Sequence, residues 1–350
     1  MSTALTSLIQ SGTKLWLDSV DPELTLKNKS LGITGATSNP IIIADLLKGG
    51  RFEPQLNALA HDRLSAEEIT WEMTNYLVSQ AEEVFRSVYD HSHGDDGYVS
   101  FELDPLLEDS SCKLSISDRS KKYIELAKKW SKGHPNRMIK VPATPAGLGA
   151  VEEITAAGIP LNVTLIFSTR QYDAARDAAW RGAKRLNNLN SFKSVYSIFV
   201  SRIDVYTNSK YPQLSPNAQG LAGIVNAQLL WQRNQAFWAK EKTPLKQEII
   251  FASTGTKNPA DKPWKYVAAL AGSDIQTNPP GTNALVASSG ETFTARISQL
   301  PPAPIVQELT SQIDWHQLEV DLMTEGLAKF ADPHKALLQV VAGKLSGRQS

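Results

Sequence analysis

One alternation, repeated eight times, constrains this chain most: a short apolar run of strand length, then a longer stretch of helical period. The candidate strands are KLWLDS (14–19), ITGATSN (33–39), GYVSFELD (97–104), RMIKVPA (137–143), PLNVTLIF (160–167), SVYSIFVS (194–201), EIIFASTG (248–255) and a weak SDIQTNP (273–279). Eight strands with helical connections are the signature of an α/β fold closed as a parallel (β/α)8 TIM barrel. A length of 350 residues leaves room for additional helices, especially at the C-terminus. The alternative is an open doubly wound sheet. It would bring a glycine-rich phosphate turn after the first strand, and LDSVDPEL holds no glycine.

The helical stretches have their own signals. Ile69, Met73, Leu77, Ala81, Val84 and Val88 recur at helical spacing, predicting one helix over 65–90. Tyr123, Leu126, Ala127 and Trp130 mark another, stopped by Gly133. Ser168 and Gln171 read as a capping box. Ser215 and Pro216 read as the opening of a long helix toward Lys240, and Asp332 and Pro333 as the opening of a last one, 335–343. The Pro/Gly/Ser-rich stretch 277–304 reads as a surface loop. With no repeat, low-complexity block or linker, residues 1–350 are expected to form one domain, with helices at about 305–345 packing on the barrel.

Side chains on a strand alternate between two faces. Leu161, Val163 and Leu165 oppose Asn162 and Thr164; Val99, Phe101 and Leu103 oppose Ser100, Glu102 and Asp104; Leu15 and Leu17 oppose Trp16 and Asp18. In RMIKVPAT, Ile139 and Val141 oppose Met138 and Lys140, and the same split sets Ser253 opposite Ala252. The apolar face packs on the outer helices, so the other face carries Asp, Glu, Lys, Asn, Thr and Ser into the barrel. An isolated Lys140 reads best as a snorkelling surface lysine. A lone Asp or Asn reads as a cap. A polar set on several strands, crowded toward their C-terminal ends, reads instead as a site, with Lys140 beside Asp18 and Glu102.

Composition narrows the chemistry. With 36 basic and 36 acidic residues there is no charge excess to hold nucleic acid. The single cysteine, Cys112, excludes an intramolecular disulfide and fits a reducing compartment. MSTALTSLIQSG is no secretory signal and no apolar run suits a membrane helix, so a cytoplasmic protein is expected. None of the six histidines lies on a candidate strand; His91 and His93, in HSHGDDG, read as a solvated loop before a metal pair. Neither a cysteine–histidine pairing nor a GxSxG elbow is evident. What remains is an amine nucleophile. A neutral lysine attacks a ketone and forms a Schiff base, an electron sink for making or breaking a carbon–carbon bond. Burial favours the neutral amine and nearby carboxylates favour the ammonium, so the two influences oppose each other.

The motifs LWLDS, GATSNPIII, DGYVSFELDP, MIKVPAT, GIPLNVTLIFS, SIFVSRID and FASTGTKNP, in this order, resemble the transaldolase family of Schiff-base (β/α)8 enzymes in the pentose phosphate pathway. The ASTxxKNP form is similar to its longer bacterial and plant-like branch. The resemblance implies Lys140 as the Schiff-base lysine, Asp18 as the acid/base at the substrate C4 hydroxyl, and Glu102 with Thr164 around the water of imine formation. It implies Asn39 and Asn162 on the dihydroxyacetone hydroxyls, and Ser197, Arg202 and Ser253 at the phosphate end. Phe199 matches an aromatic position near that water, where members with tyrosine tend toward direct aldolase activity. Shorter relatives carry a second arginine where this chain has Thr254 and Gly255, and Lys257 is the nearby substitute. Asn258 reads as a turn former. The implied reaction uses no metal or cofactor; its partners are small sugar phosphates. The apolar C-terminal helices serve either a homodimer contact or the core. Three rival readings stand beside it: an aldolase releasing dihydroxyacetone, a non-catalytic sugar-phosphate-binding barrel, and an unrelated barrel whose inward polar residues only pair with one another. The last requires that no connected cavity reach Lys140.

Overall fold

The structure is a computed structural model that describes residues 3–61 and 64–346, so the ends of the expected 1–350 domain lie outside the described residues. Eight parallel strands close in sequence order into a barrel: β1 (Lys14–Leu17), β2 (Gly35–Thr37), β3 (Val99–Glu102), β4 (Arg137–Pro142), β5 (Leu161–Ile166), β6 (Ser194–Phe199), β7 (Glu248–Ala252) and β8 (Ile275–Asn278). Closure comes from β8 pairing with β1, where Trp16 faces Thr277 and Leu17 faces Asn278. This is the expected (β/α)8 barrel, with extra helices at its C-terminal end. Among the described residues no helix is long and apolar enough to cross a membrane.

Strand alternation divides the core into two layers. Leu15, Leu17, Val99, Phe101, Ile139, Val141, Leu161 and Val163 pack outward against the helices. Trp16, Met138, Val195 and Ile250 pack inside the barrel. Each such side chain contributes about 1.5–3 kcal/mol through burial. Gly35 lies beside Trp16, and a Cβ there would stand 2.7 Å from the indole ring.

Ion pairs fill the N-terminal end of the barrel. Lys193 Nζ donates to Glu248 Oε2 at 2.7 Å and to the Asp95 carbonyl at 2.8 Å, while Lys14 Nζ reaches the same Glu248 oxygen at 3.0 Å. Asp96 accepts from Trp16 Nε1 at 2.9 Å. Both aspartates come from HSHGDDG, which turns under the barrel through Gly94 and Gly97 at positive φ. A Cβ on Gly97 would fall 2.2 Å from the Tyr89 nitrogen, so this turn requires glycine. His91, expected in that loop, instead ends the helix Ala66–His91, where its Nδ1 pairs with the Ser87 carbonyl at 2.6 Å.

Helix boundaries differ from expectation where long-range packing overrides local signals. Ser215–Pro216 forms a turn, not a helix start; Gly220 at φ +70 redirects the chain and the long helix runs Ala222–Glu241. Its expected cap, Ser215, instead bonds Glu308. Asp332–Pro333 opens nothing, because one helix runs unbroken over Trp315–Ser346 with Pro333 inside it. Proline costs a helix interior about 3 kcal/mol. Here Phe330, His334, Leu337 and Val341 are buried on either side of it, and that burial offsets the loss. The stretch read as a loop contains a helix, Pro280–Ser288. Ser168 does cap its helix at Gln171 N, but the Gln171 side chain accepts from Phe167 N, so the box does not close on the cap residue.

Two side chains depart from strict alternation. Leu165 has φ +57, and the β5–β6 register shifts between Val163 and Ile166, so Leu165 packs inside the barrel and not with Leu161 and Val163. Ser253 has φ +56 just past β7, so Ser253 and Ala252 both border the interior cavity. The apolar C-terminal residues Leu309, Leu318, Leu322 and Phe330 are taken up by the intramolecular core.

Candidate active site

A connected cavity of about 750 Å³ opens at the C-terminal end of the barrel and reaches Lys140. That volume suits a small phosphorylated metabolite. Register lines up the inward groups around it: Glu102 on β3 pairs with Lys140 on β4, and Lys140 with Asn162 on β5. Alternation therefore turns all three side chains inward at neighbouring heights.

Lys140 is 5% exposed. Its Nζ donates to the Ser38 carbonyl at 3.1 Å and to Glu102 Oε2 at 3.2 Å, and lies 5.7 Å from the centre of the Phe330 ring. Asp18 stands on the cavity wall, where Oδ1 accepts from Thr37 Oγ1 at 3.0 Å; Thr37 also bonds Thr277 Oγ1 at 2.8 Å. Burial pushes the Asp18 carboxyl above its ordinary value, against the opposing pull of Lys140 and of the Thr37 hydrogen bond. Burial also lifts Glu102 to about 7, although Lys140 beside it favours the charged form. A carboxyl at that value gives and takes a proton equally well near neutrality.

The expected site residues do not all meet the cavity. Asp18, Asn39, Lys140, Thr164, Ser197, Phe199, Arg202, Ser253 and Lys257 border it. Glu102 and Asn162 do not. Asn162 is wholly buried, donating to Ser100 Oγ at 2.9 Å and accepting from Ser197 Oγ at 2.7 Å, so both ends of its amide are engaged. Asn39 caps the helix Pro40–Lys48, its Oδ1 accepting from Ile42 N, which leaves its Nδ2 hydrogens uncommitted. Among the described residues Thr164 Oγ1 is buried without a hydrogen-bond partner, and so is Arg202 Nη1. Unpaired buried polar atoms on a cavity wall are costly unless something polar enters.

Arg202 stands in the first turn of the helix Ser201–Lys210, with its guanidinium 4.8 Å above the Phe199 ring. Burial pulls that guanidinium below its ordinary value, opposed by Glu325, Asp18 and Glu102. Ser253 Oγ pairs with Ser201 Oγ at 2.9 Å. Thr254, at the place of the second arginine in shorter relatives, bonds Asn278 Oδ1 at 2.6 Å and so belongs to the barrel rim. Lys257 is exposed at the mouth, and Asn258 caps its own turn through Ala260 N.

Sequence reading missed one strand residue and one wall. Thr37 follows Ala36 on β2 and obeys the same alternation, a usable signal. The wall is the C-terminal helix, which brings Leu322, Glu325, Lys329 and Phe330 to the mouth opposite Lys210. Gly326 lets it pass closely: a Cβ there would stand 3.0 Å from Leu165 and 3.4 Å from Arg202. Helical spacing groups these residues on one face but does not say what that face covers.

Residues 15–341 match the family described as transaldolase/fructose-6-phosphate aldolase. The chain is 33% identical to transaldolase 1 of Streptomyces avermitilis, with 98% of this chain and 96% of that protein covered. It is 31% identical to a transaldolase of a Parafrankia species over the full length of both, and 30% identical to that of Mycolicibacterium smegmatis, with 97% of each covered.

Proposed function

The chain belongs to the transaldolase/fructose-6-phosphate aldolase family, and from that premise we infer that it is a transaldolase carrying a dihydroxyacetone unit on Lys140 from a ketose phosphate to an aldose phosphate. One observation carries the residue assignment: a lysine amine buried inside the barrel, 3.2 Å from a carboxylate and bordering a cavity that also holds Asp18.

In this reading Lys140 Nζ attacks C2 of a donor such as fructose 6-phosphate or sedoheptulose 7-phosphate. Glu102 gives a proton to the departing hydroxyl, which leaves as water, and the imine forms. Asp18 takes the C4 hydroxyl proton as the C3–C4 bond breaks, releasing an aldose phosphate and leaving the enamine on Lys140. The acceptor aldehyde joins that carbon and regains a proton from Asp18. Water then adds to the imine, giving its proton to Glu102, and Lys140 is freed. The open hydroxyl of Thr164 and the amide of Asn39 suit the water and the sugar hydroxyls. Arg202, with Ser253, Ser197 and Lys257, suits the phosphate. Asn162 acts by fixing Ser197. The setting that goes with this chemistry is the cytoplasm.

The test is incubation with fructose 6-phosphate, borohydride reduction and peptide mapping, with Lys140→Ala alongside. A dihydroxyacetone-sized adduct on the Lys140 peptide is expected, absent from the variant. A folded protein with no adduct from any ketose phosphate sinks the assignment. Adding erythrose 4-phosphate separates transfer from a second reading, an aldolase that releases free dihydroxyacetone. Phe199, which has no hydroxyl to hold a water, favours transfer.

A further inference from the structure

Beside Glu102 lies a second, much smaller space. Its volume is about 10 Å³, and Glu102, Ser38, Asn39, Trp71, Thr74 and His334 line it. That is about the room one water needs, and such a water requires two to four polar partners. The chamber supplies them. Glu102 Oε2 accepts from Lys140, while no protein donor reaches Oε1 among the described residues. Asn39 contributes to the walls of both chamber and main cavity.

His334 comes from the C-terminal helix and is 4% exposed. Its ring rests against Trp71, centre to centre 5.2 Å, and no protein group bonds either ring nitrogen among the described residues. Buried polar groups of this kind find a partner or a water. Burial pushes the imidazole down to about 4, so it is neutral at pH 7 and has one N–H to donate. On the chamber wall the one other titratable side chain is Glu102. Glu102 in turn feels Lys140 from β4, Asp18 beyond β1 and Arg202 from the helix after β6, and it acts on Tyr123.

We propose that His334 is a positioning residue for the transfer reaction: it holds one water against Glu102 and so sets how readily Glu102 exchanges the proton of imine formation and hydrolysis on Lys140. The inference rests on the reading of Lys140 given above. The neutral ring donates to the water, and the water donates to the Glu102 carboxylate. Loss of that donor disfavours the charged form of Glu102.

The experiment compares wild type with His334→Phe, which keeps a ring against Trp71, and His334→Gln, which keeps a donor. Adduct formation with fructose 6-phosphate is followed across pH 5 to 9, together with kcat and KM. For His334→Phe, kcat falls about tenfold with KM within about twofold, and the pH midpoint of adduct formation moves upward. His334→Gln keeps the wild-type midpoint. Unchanged profiles in both variants, or equal shifts in both, overturn the proposal, the second outcome assigning His334 to packing alone. If wild type forms no adduct at Lys140, it is the reading of the reaction that fails. A crystal structure in which the chamber is dry also overturns the proposal.

Discussion

At the scale of single residues, the site works by setting burial against charge. Glu102 makes this measurable. Its carboxyl ionises near 7 in the folded protein against 4.5 for an ordinary glutamate. The folded state therefore holds its proton more tightly than the unfolded chain does. The stability this brings is fully present below about pH 4.5 and lost as pH rises through about 7. Glu102→Gln removes that dependence, so the variant gains on wild type by on the order of 3 kcal/mol between pH 4.5 and 8. Denaturant titrations at several pH values read this directly, and a constant difference would mean Glu102 ionises normally. Lys140, Asp18 and Glu102 were legible because alternation along two strands and just past a third sent them to one side. The positive φ of Leu165 and of Ser253 was not. Nothing local marks a leucine or a serine for positive φ, a conformation that bulky residues adopt only when their surroundings impose it.

At the scale of elements, all eight strands lie within the boundaries read from sequence, most of them as apolar runs bounded by turn residues and the polar IQTN only weakly. The helices were read less well, for a reason that Pro333 illustrates. Asp-Pro is a good local start signal, yet the face formed by Phe330, His334, Leu337 and Val341 is buried by chain more than 200 residues away. Lys335 also reaches back to Asp109, at 2.5 Å. Pro333 has no N–H to offer the Lys329 carbonyl. Pro333→Ala restores that bond and raises stability by about 1–3 kcal/mol. A fall in the denaturation midpoint would instead show that the ring packs usefully where it stands. The variant also tests the wall, since Phe330 and His334 flank the changed turn: any loss of kcat in a more stable protein traces to their displacement.

At the scale of the whole molecule, the two ends of the barrel have separate tasks. The N-terminal end is closed by Lys14, Lys193, Glu248 and Asp95, and the C-terminal end holds the cavity. Glu248→Ala deprives Lys193, whose side chain is fully buried, of its closest carboxylate. Breaking a buried pair from one side costs about 3–5 kcal/mol. The unfolding temperature is expected to fall by several degrees while kcat at 25 °C stays within about twofold. A large loss of kcat in the folded variant would mean that the two ends communicate. Calorimetry and steady-state rates on the same sample decide it. This closure was not read from sequence, since Lys14, Asp95, Lys193 and Glu248 share no spacing and meet only when the barrel closes.

The C-terminal helix has a consequence for descent. The groups proposed above to make and break bonds stand on strands or just beyond them, between Asp18 and Ser253, whereas much of what lines the cavity mouth stands on Trp315–Ser346. A lineage can thus replace Leu322, Glu325 or Lys329 and change which sugars are admitted while inheriting the reaction intact. Grafting this helix from a relative, with His334 kept, is the laboratory form of the same event: the hybrid should keep the chemistry of one parent and the tastes of the other.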